Sequence, residues 1–114
     1  MRPIPPQLRE QIAADPFMKR CIYPWCGNWP EWEHAFEYSG RQINEAWAIV
    51  PVCTYHHRGA GLVKDYNQYR AIIRADLADL EKRMPKKDWQ QIYKYLTQKY
   101  DKGNGRKGRY QKVS

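Results

Sequence analysis

The chain has 114 residues, of which 42% are hydrophobic and 14% aromatic, and it carries a formal net charge of +8. With a mean hydropathy of −0.93, this describes one small folded domain with a very polar surface and excludes a disordered chain. No apolar run approaches the roughly 20 residues of a membrane span. The N-terminal MRPIPPQLREQ also lacks the apolar stretch of a secretory signal. A cytoplasmic protein, monomer or homodimer and without a membrane partner, is therefore expected, its three cysteines serving as thiolate ligands rather than disulfides.

The charge is divided unevenly. Residues 1–57 hold five Lys/Arg and six Asp/Glu, whereas residues 58–114 hold fifteen and six. The second half is where a polyanion would be held. Ahead of it stands an acidic island of Glu31, Glu33, Glu37 and Glu45. Carboxylates in a protein that otherwise attracts phosphate make sense if a divalent cation sits between them.

In chain order, Pro5-Pro6 predicts a helix start with Leu8 and Ile12 on one face, and Asp15-Pro16 its end. Cys21 and Cys26 bracket Tyr23-Pro24-Trp25, and Gly27-Asn28 gives the turn chemistry of a metal knuckle. Trp25, Trp29 and Trp32 crowd here to shield the thiolates and pack the core, or to offer one ring to a base. Glu31–Phe36 alternates as a strand, with Trp32, His34 and Phe36 on one side. Ser39-Gly40 turns the chain, and Ile43–Val52 returns as a second strand with Pro51 closing its edge. Thr54, as N-cap, opens a short helical turn that Gly59 and Gly61 interrupt. Tyr66, Tyr69, Ile73, Leu77, Leu80 and Met84 recur at steps of three and four, which predicts one helix from Asp65, its cap, to Met84. After Pro85 a last helix begins near Asp88 and presents Trp89, Ile92, Tyr93, Leu96 and Tyr100. The remainder, residues 101–114, reads as a flexible basic tail.

Every cysteine and histidine of the chain lies between positions 21 and 57. Cys21, Cys26, Cys53 and His56 make a C-x4-C…C-x2-H set, four ligands for a tetrahedral structural zinc. His56 and His57 are neighbours on a helical turn, so their side chains diverge by roughly 100°. One can serve the zinc while the other faces elsewhere, and the spacing leaves open which does which.

These residues carry a resemblance. A hairpin holding a carboxylate–histidine pair, followed by a helix opening on C-x-x-C-H, resembles the HNH endonucleases, over about residues 21–60. Glu33-His34 matches the family's Asp-His pair, with glutamate in place of aspartate. Cys53-Thr54-Tyr55-His56-His57 matches C-x-x-C-H, with His56 in place of the second cysteine. The resemblance implies an α+β fold: a zinc-stapled ββα-metal, treble-clef core with flanking helices in a single domain over 1–100, helical from 65 to 100. It implies His34 as general base, Glu33 and His57 as ligands of one catalytic Mg²⁺ or Mn²⁺, and Asn44 as the middle asparagine bracing the hairpin. DNA is then the partner, held by Arg41, Arg58, Lys64, Arg106, Lys107 and Arg109. The rival expectation is a non-catalytic treble-clef module that binds nucleic acid or a protein through its basic half.

Overall fold

In the computed structural model, which describes residues 4–101, the chain is a mixed α/β fold of two small antiparallel sheets and several helices. Proline at the first helical position starts α1 (Pro6–Ala13), where a missing N–H costs nothing. The Asp15 carboxylate accepts the Phe17 N–H at 3.0 Å and opens a 3-10 turn, Pro16–Lys19. Next come β1 (Glu31–His34), β2 (Glu37–Tyr38) and β3 (Arg41–Gln42). Ser39 and Gly40 both have positive φ, 54° and 78°. Two such residues in succession form the tight turn that matches strand twist.

The predicted second strand, Ile43–Val52, is shorter than its apolar content suggests. A loop and a 3-10 turn (Ala46–Ala48) occupy its first part, and only β4 (Ile49–Val52) pairs with β1. Pro51 sits within β4 rather than closing it, and β4 is an edge strand of its two-stranded sheet. The proline is fully buried opposite Trp32, and its carbonyl accepts the Ile22 N–H at 2.9 Å. Carbonyl pairing is what a strand proline retains.

The turn α2 (Thr54–His57) has Cys53 as its N-cap rather than Thr54. Gly61 lets the Tyr55 ring pack close, because a Cβ there would meet that ring at 2.2 Å. The long helix predicted from Asp65 to Met84 is two helices, α3 (Lys64–Ile72) and α4 (Leu77–Arg83). Asp76 and Asp79 form a capping box that starts α4, a signal stronger than the continuous stripe. The stripe fails at Leu77, which is half exposed. Val63, not Asp65, stands at the N-cap of α3, and Asp65 binds Lys99 at 2.6 Å instead. Pro85 then leads into α5 (Lys86–Tyr100), which starts just ahead of Asp88.

β4 divides the core by its period of two. Val50 and Val52 join a large cluster with Ile72, Leu80, Trp89 and Leu96, whereas Ile49 joins Ile12 and Met18. Trp32 packs on the smaller cluster. Trp25 and Trp29 are not part of the core: they are 83% and 87% exposed. Among the described residues no helix is long and apolar enough to cross a membrane.

Candidate metal centre and neighbouring polar site

The sulfur atoms of Cys21, Cys26 and Cys53 and a ring nitrogen of His56 all lie within 4.8 Å of one another. The loop before β1 supplies two of them, and the end of β4 with the turn of α2 supplies the others. His56 Nδ1 is 3.3 Å from both the Cys21 and the Cys53 sulfurs. The cysteines are free, and Cys26 Sγ is 3.8 Å from Cys53 Sγ, far beyond an S–S bond of about 2.05 Å.

The surroundings suit thiolates. Burial raises the Cys53 thiol, yet the His56 N–H, the Asn28 amide and the His56 side chain outweigh it and bring it down to about 6. Burial pushes the Cys21 thiol up, so a cation would be needed to hold both deprotonated. Three sulfurs and one imidazole in a closed, largely buried group fit a structural metal such as zinc. Tyr23 stacks on the His56 ring at 3.8 Å and 15°, which fixes the ligand's plane. The choice between the two histidines is thus decided by geometry: His56 joins the sulfurs and His57 does not.

His57 turns toward β1 instead. Its Nδ1 lies 2.7 Å from Glu31 Oε1. A carboxylate only accepts, so Nδ1 carries the proton and Nε2 is left with a lone pair when the ring is neutral. Glu31 also accepts from Thr54 Oγ1 at 2.8 Å and from Arg58 Nη2 at 2.9 and 3.0 Å. Hydrogen bonds from His57, Arg58 and Thr54 lower its pKa to about 2. Two residues on, and therefore on the same side of the strand, Glu33 accepts from Asn67 Nδ2 at 2.9 Å. Burial raises the Glu33 pKa, while the charge of His57, the Asn67 amide and Lys64 pull against it.

His34 occupies the next strand position, and its Nε2 lies 2.7 Å from Asn44 Oδ1. The two residues matched to the base and the bracing asparagine are therefore direct partners. Glu31, Glu33, His34 and His57 nonetheless do not draw together as the sulfur group does: among the described residues, the four ligands within 4.8 Å are those of Cys21, Cys26, Cys53 and His56.

The acidic island is not one surface. Glu37 is exposed on β2, and Glu45 pairs with Arg83 of α4. Of the basic residues, Arg58 is spent on Glu31, and a guanidinium so committed has less to offer a phosphate. Arg41 is exposed and borders a cavity of about 280 Å³ together with Tyr38, Gln42, Asn44 and Arg83. Lys64 is exposed at the start of α3. Arg106, Lys107 and Arg109 lie outside the described residues.

Sequence reasoning missed Asn67 and the role of Glu31. Asn67 is fully buried, and a buried amide needs partners for both its polar atoms. It has them, since Tyr23 Oη donates to its Oδ1 in a long bond of 3.5 Å. An asparagine directly beside the apolar stripe at Tyr66 was the available signal. For Glu31, the alternation that puts Glu31 and Glu33 on one side was already legible. Comparison with protein-family models, curated proteins and solved structures finds no match.

Proposed function

We propose that the chain is a zinc-stapled, HNH-type endonuclease with a ββα-metal, treble-clef core that hydrolyses phosphodiester bonds of DNA. One observation carries this reading. Adjacent histidines are sent to different tasks, His56 to the sulfur group and His57 to the Glu31 carboxylate of β1. A module that only needed the metal staple has no use for the second arrangement. The His34–Asn44 bond of 2.7 Å adds to it.

In this mechanism, Asn44 Oδ1 accepts from His34 Nε2–H and leaves the lone pair on Nδ1. That nitrogen takes a proton from the attacking water, whose oxygen forms the new bond to phosphorus as the bond to the leaving oxygen breaks. Glu33 and the Nε2 of His57 would hold one divalent ion, Mg²⁺ or Mn²⁺. Such an ion stabilises the charge that develops on the phosphate and on the leaving oxygen. Arg41, beside Asn44 in the 280 Å³ cavity, is suited to hold a non-bridging phosphate oxygen.

The test is conversion of supercoiled to nicked plasmid with magnesium or manganese. His34→Ala should abolish it while zinc content and DNA binding stay near wild type. Wild type that cleaves no duplex, single-stranded or branched DNA would refute this reading. A non-catalytic, metal-stapled binding module is the second reading, favoured by the looser spacing of Glu31, Glu33, His34 and His57, and that result would select it.

A further inference from the structure

A second feature lies between the Tyr23–Trp25 loop, α3 and the end of α5. It is a cavity of about 430 Å³ lined chiefly by Tyr23, Trp25, Val63, Tyr66, Tyr69 and Tyr100, within the size range of small-ligand sites. The tyrosines brace one another. Tyr23 and Tyr66 are 4.7 Å apart between ring centres, and Tyr100 is 5.2 Å from both Tyr66 and Tyr69. Their hydroxyls are tied as well, Tyr66 to Arg70 at 2.9 Å, Tyr100 to Asp65 at 2.7 Å and Tyr69 to Asp101. The wall therefore cannot collapse into the space. Trp25 differs: its indole is 83% exposed at the mouth, a large apolar surface left facing water.

Resting on the nuclease reading above, we propose that this cavity receives an unpaired nucleobase of the nucleic-acid substrate, stacked between Trp25 and the tyrosine wall. Three observations select that occupant. First, the lining is aromatic, and stacking on aromatic rings holds any base by its face. Second, cations stand beside the lining rings: Arg70 is 5.8 Å from the centre of the Tyr66 ring, and Lys99, paired with Asp65, is 5.6 Å from the centre of the Tyr100 ring. Third, the wall is continuous with the proposed catalytic site. Tyr23 Oη donates to Asn67, whose amide donates to Glu33. A base seated here would belong to the strand whose phosphate lies at Glu33. It must be unpaired, because a stacked duplex exposes only base edges.

The test measures binding by the full-length, zinc-loaded protein without magnesium or manganese. The probes are three DNA hairpins: one with a single extrahelical base, one with an abasic site at that position, and one fully paired. Wild type should prefer the extrahelical base to the abasic hairpin. Trp25→Ala should weaken that complex by roughly 5- to 150-fold and leave the paired hairpin unchanged, whereas Trp25→Phe should retain most of the affinity. An exposed side chain removes no packing, so zinc content should hold. Equal binding of the extrahelical and abasic hairpins by wild type needs no variant to read, and it overturns the proposal even where plasmid cleavage is intact. Equal loss on all three hairpins in Trp25→Ala overturns it too, since Trp25 then acts on the backbone rather than on a base. Wild type that binds none of the three and cleaves no plasmid refutes the nuclease reading along with this one.

Discussion

His57 Nδ1 and Glu31 Oε1 lie 2.7 Å apart, joining the turn of α2 to the first residue of β1. The bond fixes which imidazole nitrogen is free, and it ties the Glu31 carboxylate to folding. The pKa of that group falls from 4.5 to about 2 in the folded chain. Its contribution to stability is therefore complete above the unfolded value and is lost as pH falls through the folded one. We expect wild type to be more stable than Glu31→Gln by a constant margin above pH of about 5, the margin vanishing between pH 4.5 and about 2. Denaturant titrations of both proteins across that window measure it. A margin independent of pH would assign the effect to packing.

The two histidines should separate cleanly by metal content. His56→Ala should lose zinc and destabilise the region around β1, β4 and α2, as should Cys53→Ala. His57→Ala should keep one zinc per chain. Chelation of wild type should unfold the same region, because ligand bonds of this kind are worth about 10–16 kcal/mol in small zinc domains. Elemental analysis with thermal melts gives the answer. A folded, zinc-free wild type would end the idea of a structural metal.

Asn67 is fully buried and supplies the Glu33 carboxylate with its hydrogen-bond donor. Asn67→Ala should therefore cost about 1–3 kcal/mol, the penalty for a polar group left without a partner. If the loss arises at Glu33, then Glu33→Gln, which carries no charge, should reduce it in the double variant. Equal and additive losses would show that Asn67 acts through Tyr23 or through packing alone.

On the proposed nuclease reading Asn44 acts through the ring of His34, which it contacts at 2.7 Å, so Asn44→Ala should slow plasmid nicking less than His34→Ala does. Removal of a general base typically costs 10²- to 10⁴-fold. The asparagine's share should appear in kcat rather than in DNA affinity, and Asn44→Asp should restore part of it by offering an acceptor to the same nitrogen. Loss of DNA binding in Asn44→Ala would instead assign Asn44 to the phosphate contacts beside Arg41.

Much of this arrangement was legible in the residues. Cys21, Cys26, Cys53 and a histidine announce a metal group by spacing alone, and the pairing of β1 with β4 follows from alternation at Glu31–His34. What could not be read was geometry that depends on neighbours. The stripe Tyr69-Ile73-Leu77-Leu80 keeps helical phase across the break at Ala75-Asp76, so periodicity alone hides the start that the capping box marks. The choice of His56 over His57 needed the position of β4 relative to the cysteine loop. Tryptophan is usually sheltered, so composition points Trp25 and Trp29 inward and carries no information on which rings are left outside.

The sulfur group draws on both ends of a long excursion. Cys21 and His56 are separated by 35 positions, and the β1–β4 ladder between them skips the 14 residues from Ala35 to Ala48. Such contacts must close a loop before they reward it, and the entropic cost grows with loop length. The helices α3 and α5 each form from local turns and pack directly on one another, and although that contact also spans a long stretch, 34 positions at Lys99–Asp65, it needs no ion. Refolding should therefore begin in the C-terminal half and pause there until an ion gathers the distant ligands. The rate of recovery from denaturant should then depend on zinc concentration for β1 and β4, but not for the helices.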